Sequence, residues 1–100
     1  MKCFNSFLFL FFFILGILGL GIMHEEVHIA IYNSYGIESH SEYFSHFPNF
    51  VTIAEEKCPN ETCELAHNIN EIVGYPLLIF YVIFGVGVFC IINSVEEQNE

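Results

Sequence analysis

Apolar positions along this chain fall into two blocks. Phe7–Met23 and Val73–Ile92 contain no charged residue, and nearly every acidic residue lies between the blocks or after them. Counted from Phe4, the first block supplies 20 residues, and the second supplies another 20. As α-helix each measures about 30 Å, the thickness of a bilayer's hydrocarbon core. The pattern therefore predicts an all-α membrane protein, a two-transmembrane-helix antiparallel hairpin with a small extramembrane loop domain. It forms a single unit over residues 1–100, with transmembrane helix 1 over 4–23, the loop over 24–72, transmembrane helix 2 over 73–92 and an acidic tail over 93–100. A signal peptide is the rival reading of the first block, from Met1-Lys2 and the small residues Gly19-Leu20-Gly21. Its apolar run is longer than a usual signal core and Gly-x-Gly is a poor cleavage site, so a retained helix is expected. Pro76 falls in the first turn of the second block, where a missing N–H costs little. Gly85 and Gly87 leave room for the first helix, and Tyr75 and Tyr81 are expected near the outer boundary.

The polar stretch between the blocks has its own signals. The first helix continues to about Tyr32 and ends at Gly36 as a left-handed cap. An aromatic-rich connection follows, in which Tyr43, Phe44 and Phe47, flanked by His40 and His46, form a lid at headgroup level. Phe50-Val51-Thr52-Ile53 reads as a short strand. A helix resumes at Glu61 or Thr62 and runs into the second block.

Composition narrows the function classes. Apolar residues make up 54% of the 100, while charged residues are only 14%, well below the share of a soluble domain. The 12 acidic residues are all Glu; Lys2 and Lys57 are the only Lys or Arg, and the formal net charge is −10. So acidic a surface repels phosphate, which argues against nucleic acid and leaves the lipid bilayer as a partner held by hydrophobicity alone. Lys2 beside the first block places both termini in the cytoplasm and residues 24–72 outside, by the positive-inside rule. Cys58 and Cys63 bracket a turn-rich stretch that also holds the sequon Asn60-Glu61-Thr62, in keeping with a disulfide in an oxidising compartment. Two free thiols, or a loose Cys-x4-Cys metal pair, are the other readings of that spacing. Cys3 and Cys90 fall near the inner face as small apolar fillers.

Candidate chemistry begins where the first block ends. Met23-His24-Glu25-Glu26-Val27-His28 contains an H-E-x-x-H motif. On a helix, residues four apart share a face, so His24 and His28 can offer two imidazoles to one zinc ion. Glu25 sits one residue round, placed to take a proton rather than to hold the metal. Glu64, His67 and Glu71 line one stripe of the second helix. His67 and Glu71 come just before the second block, as His24 and His28 come just after the first. In an antiparallel hairpin both sets lie at one height, and a third ligand from His67 or Glu71 completes a catalytic zinc pattern. The ordinary alternative is that these residues are solvated groups marking the membrane surface.

His24-Glu25-Glu26-Val27-His28 resembles the zincin metallopeptidase motif, and Ile69-Asn70-Glu71-Ile72-Val73 resembles the Asn-Glu helix of the gluzincins. The resemblance covers about ten residues. It implies His24, His28 and Glu71 as zinc ligands and Glu25 as general base; the closeness of the membrane, independently, suggests a membrane-anchored peptide as substrate. Gly74 and Tyr75 depart from it, standing where the gluzincin helix has a supporting acid. No strand precedes the first motif, so Val51-Thr52-Ile53 would have to supply the substrate-pairing edge. Tyr32, Tyr35, Tyr43, His40 and His46 are the available oxyanion donors, none singled out by the sequence. If His67 is a fourth ligand, the site is a structural staple instead. The alternative class is a non-enzymatic small membrane subunit, docking to a membrane protein partner with a structural metal or none.

Overall fold

A computed structural model of the chain describes residues 2–45 and 49–99, with side chains from Asn5 onward. His46 and Phe47, expected in the aromatic lid, lie outside the described residues, as does the side chain of Cys3. Two helices dominate: α1 over Lys2–Ser34 and α2 over Glu61–Gln98. Between them lie two short strands, β1 over Ser39–Glu42 and β2 over Val51–Ala54.

Each boundary has a local cause. Gly36 takes φ 74°, the left-handed conformation that glycine adopts without a steric penalty. Gly36 N–H then donates to Asn33 O and Ile37 N–H to Tyr32 O, both at 3.0 Å. That pair of bonds is the Schellman closure, and it carries α1 two residues past the expected Tyr32. At the other helix, Asn60 is the N-cap, its side-chain oxygen accepting from Cys63 N–H at 2.9 Å. The sulfurs of Cys58 and Cys63 stand at disulfide bonding distance, with their Cα atoms 5.5 Å apart.

The strands form an antiparallel pair in which Ser39 faces Ala54, His40 faces Ile53, Ser41 faces Thr52 and Glu42 faces Val51. The all-α expectation thus holds for the two long helices and misses this hairpin. β2 matches the apolar pattern at Val51-Thr52-Ile53, shifted by one residue. The polar sequence Ser-His-Ser-Glu of β1 carries no such pattern; its form comes from the ladder with β2, across which the Ser41 and Thr52 hydroxyls also bond at 3.0 Å.

Both helices are long and apolar enough to cross a membrane. Their large side chains are open to the surroundings: Phe12 is 64% exposed, Phe80 71% and Phe84 73%. Total accessible surface is 7332 Å², against the roughly 5,800 Å² expected of a compact soluble protein of this mass. The chain is an elongated pair of helices with almost no interior of its own.

What joins the helices is a seam of aromatic rings. Phe13 stacks on Tyr81 at 5.1 Å between centroids, and Phe9 approaches Phe89 at 5.8 Å. Tyr81 hydroxyl donates to Phe13 O at 3.2 Å, so this tyrosine points into the seam rather than anchoring the boundary. Gly85 is buried against the Phe13 ring, whereas Gly87 meets nothing within 4 Å. The expected glycine contact therefore rests on Gly85 alone. At the far end Ser6 hydroxyl donates to Asn93 Oδ1 at 3.1 Å. Pro76 lies deep inside α2 rather than in a first turn, because the helix starts at Glu61. The carbonyl of Ile72 consequently lacks its usual helical donor. Cys90 is exposed on α2.

Candidate metal centre

His24 and His28 lie on α1 and Glu71 on α2, where the helices emerge from their apolar blocks. Their ligating atoms converge. His28 Nε2 is 2.6 Å from Glu71 Oε1, His24 Nε2 is 3.0 Å from the same oxygen, and the two Nε2 atoms are 3.2 Å apart. Zinc ligands at the usual bond lengths stand about 3.3 Å from one another in a tetrahedron; the two nitrogens match that spacing, whereas the carboxylate oxygen sits at hydrogen-bonding distance from them and would draw back to admit an ion. Two imidazole nitrogens and one carboxylate oxygen are also a donor set suited to zinc. The residues present fit the ion.

Several neighbours hold the trio in place. Gly74 faces the His24 ring so closely that an added Cβ would overlap Nδ1 and Cε1. Asn70 side-chain amide donates to His24 O at 3.1 Å, tying the two helices together beside the site. His67 stands behind His28, its Nδ1 2.6 Å from His28 Nδ1 and its ring against Tyr32. It stands where the outer partner of a metal-bound histidine would stand, on the His28 ring nitrogen that faces away from Glu71. A ring nitrogen of His67 also lies within 4.8 Å of the Cys58 and Cys63 sulfurs.

Charge states follow from this geometry. Burial alone would raise the pKa of Glu71, but hydrogen bonds from His28 and His24 outweigh it and leave the carboxyl below its usual range. His67 is held below the ordinary imidazole value, first by burial and then by the nearby His28. An ionised Glu71 and a neutral His67 are the states a cation site needs.

Glu25 has a different place from the trio. It is buried, 8% exposed, and its Oε2 accepts a hydrogen bond from Thr52 hydroxyl on β2. With the trio it lines one cavity of about 700 Å³, whose lower wall is the apolar set Ile17, Leu18, Leu77 and Leu78. The cavity thus has a polar end at the imidazoles and an aliphatic end among the spans. Over its rim Phe50 lies on Gly21, and the Tyr43 and Phe44 rings meet Phe50. Tyr43 hydroxyl donates to Glu26 Oε1 at 2.7 Å, and this bond, followed by burial, raises the phenol pKa.

The other candidates lie apart. His40 is exposed on β1, 3.5 Å from Glu42, and does not approach the trio. Tyr32 and Tyr75 line the cavity, whereas Tyr43 is engaged by Glu26. Thr52 and Gly74 are contributions that residue-by-residue reading of the sequence does not assign; each acts through a contact between distant segments. Comparison with family models, curated proteins and solved structures yields no match.

Proposed function

We propose that this chain is a small integral membrane metalloprotein that binds zinc at the membrane surface through His24, His28 and Glu71, and that it acts as a zinc-dependent peptidase. The observation that carries the reading is the convergence of three ligating atoms from two helices, 2.6–3.2 Å apart, beside an open cavity. The exposed apolar helices support a bilayer around both spans, and Lys2 and the cysteine pair support an outside loop with both termini in the cytoplasm. Three protein ligands leave a position for a reactant, the arrangement of catalytic rather than structural zinc. Zinc held there supplies Lewis acidity to a water or a scissile carbonyl.

Glu25 is the carboxylate of the cavity that lies outside the ligand set. Thr52 holds its Oε2, which leaves Oε1 to take a proton from the attacking water and pass it to the leaving amine. The aliphatic lower wall suits a substrate that enters from the bilayer, such as a membrane-anchored peptide. The bond between Glu25 and Thr52 also favours a second reading, a non-catalytic zinc staple, because it gives Glu25 a structural use. Glu25→Gln separates the two. In the peptidase it abolishes cleavage of a membrane-anchored peptide while zinc stays bound; in the staple it leaves zinc and function unchanged.

A further inference from the structure

One imidazole separates the trio from the disulfide. The sulfurs of Cys58 and Cys63 and a ring nitrogen of His67 all lie within 4.8 Å of one another. Cys63 is fully buried, and it stands four residues from His67 on the same face of α2. His67 Nδ1 is taken by His28, whereas His67 Nε2 is buried with no hydrogen-bond partner among the described residues. A buried ring nitrogen without a partner is costly and calls for a ligand. Disulfide sulfurs are poor metal donors, but thiolates bind zinc well. The start of α2, where Cys63 N–H bonds to Asn60, further favours a thiolate at Cys63.

We infer that Cys58, Cys63 and His67 form a second site for a thiophilic divalent cation such as zinc, present only when the disulfide is reduced, and that filling it excludes a cation from His24, His28 and Glu71. The reductant is a dithiol. Its two sulfurs become a disulfide, the Cys58–Cys63 bond breaks, and two electrons and two protons pass to the chain. Cation binding then releases the thiol protons to water.

The exclusion follows from the single hydrogen shared by the two rings. Between neutral imidazoles, the bond from Nδ1 to Nδ1 holds one hydrogen. With that hydrogen on His28, His28 Nε2 presents its lone pair to the trio, and His67 carries its own hydrogen on Nε2. His67 then cannot ligate. With the shared hydrogen on His67 Nδ1, the Nε2 lone pair of His67 is available to the thiolate site. His28 Nε2 now bears a hydrogen, which it donates to Glu71 Oε1 at 2.6 Å, and the trio loses a ligand. The exclusion rests on the zinc reading of the trio; the thiolate site does not.

The test uses the full chain in detergent, with Cys3→Ser and Cys90→Ser to leave one cysteine pair, and cobalt(II) as the probe. In a His24→Ala, Glu71→Gln background, the oxidised chain should show no thiolate-to-cobalt charge-transfer band. Reduction by a phosphine should bring in that band with a single cobalt per chain. Cys63→Ser should abolish it, and His67→Ala should weaken binding by about tenfold or more. No band after reduction overturns the site, whether the helical circular dichroism is kept or lost, since the site needs α2 folded. In the chain with the trio intact, reduction should move cobalt from the trio to the thiolates at constant stoichiometry. Uptake of a second cobalt overturns the exclusion. An oxidised, trio-intact chain that takes up no cobalt would sink the zinc reading of the trio, and the first arm would still decide the thiolate site.

Discussion

Gly74 ties the packing of the helices to the chemistry of the site, because the His24 ring occupies the space where a Cβ would stand. Gly74→Ala should push that ring off its position and lower zinc affinity by about 10–100-fold, the range seen when a ligand's support is lost. Helical content should be unchanged, since alanine is the better helix former. Equilibrium metal titration beside circular dichroism checks both halves. Tyr43 offers a second local readout. Its bond to Glu26 raises the phenol pKa above the ordinary value, so the contribution of this contact to stability is present below about pH 10 and is lost as pH rises through the raised pKa. Spectrophotometric titration should find Tyr43 shifted upward, and Glu26→Gln should lower it. His24, His28 and Glu71 were legible in the sequence because their spacing and their common distance from the two apolar blocks both pointed to one place. Gly74 and Thr52 were not. Their roles come from an absent Cβ and a hydroxyl that meet residues 50 and 27 positions away in the chain.

The two helices meet through a narrow seam, and its chemistry predicts how they part. Gly85→Leu would drive a side chain into Phe13, and overpacking of this kind costs about 1–3 kcal/mol. Thermal unfolding in detergent should show that loss, while Gly87→Leu, facing open space, should be nearly silent. Acid should also loosen the pair in the metal-free chain. The folded state lowers the pKa of His67 and of Glu71. Both groups therefore contribute stability above their unfolded values, near 6.5 and 4.5, that is lost as pH falls through the folded ones. Melting temperature should drop between about pH 7 and pH 4, and His67→Gln should flatten the upper part of that decline. At this scale the apolar blocks and the start of α2 could be read directly, since hydropathy and the Asn60 cap are local signals. β1 could not, because Ser39–Glu42 has no alternation and owes its form to β2. Pro76 misled for a related reason: it marks the start of the apolar block, but α2 begins at Glu61 and passes through it.

For the molecule as a whole, the decisive feature is how little of it is buried. Ile37 and Cys63 are the buried apolar side chains among the described residues, so the helices rely on their surroundings to cover Phe12, Phe80 and Phe84. In the proposed topology a bilayer does this, and residues 24–72 face outside. A membrane-impermeant thiol reagent applied to intact cells should then reach Cys58 and Cys63 only after reduction; labelling of that pair from the cytoplasmic side alone would reverse the orientation. The same hairpin brings His24 and His28 from one helix and Glu71 from the other to a single height, which is how a chain with so small an interior can gather three candidate ligands. The most direct test of that claim is the zinc content of the detergent-purified, oxidised chain beside its variants. Zinc near one per chain should persist in Glu25→Gln and be lost in His24→Ala, His28→Ala and in Glu71→Ala. Zinc retained at full stoichiometry after both histidines are removed would contradict the account.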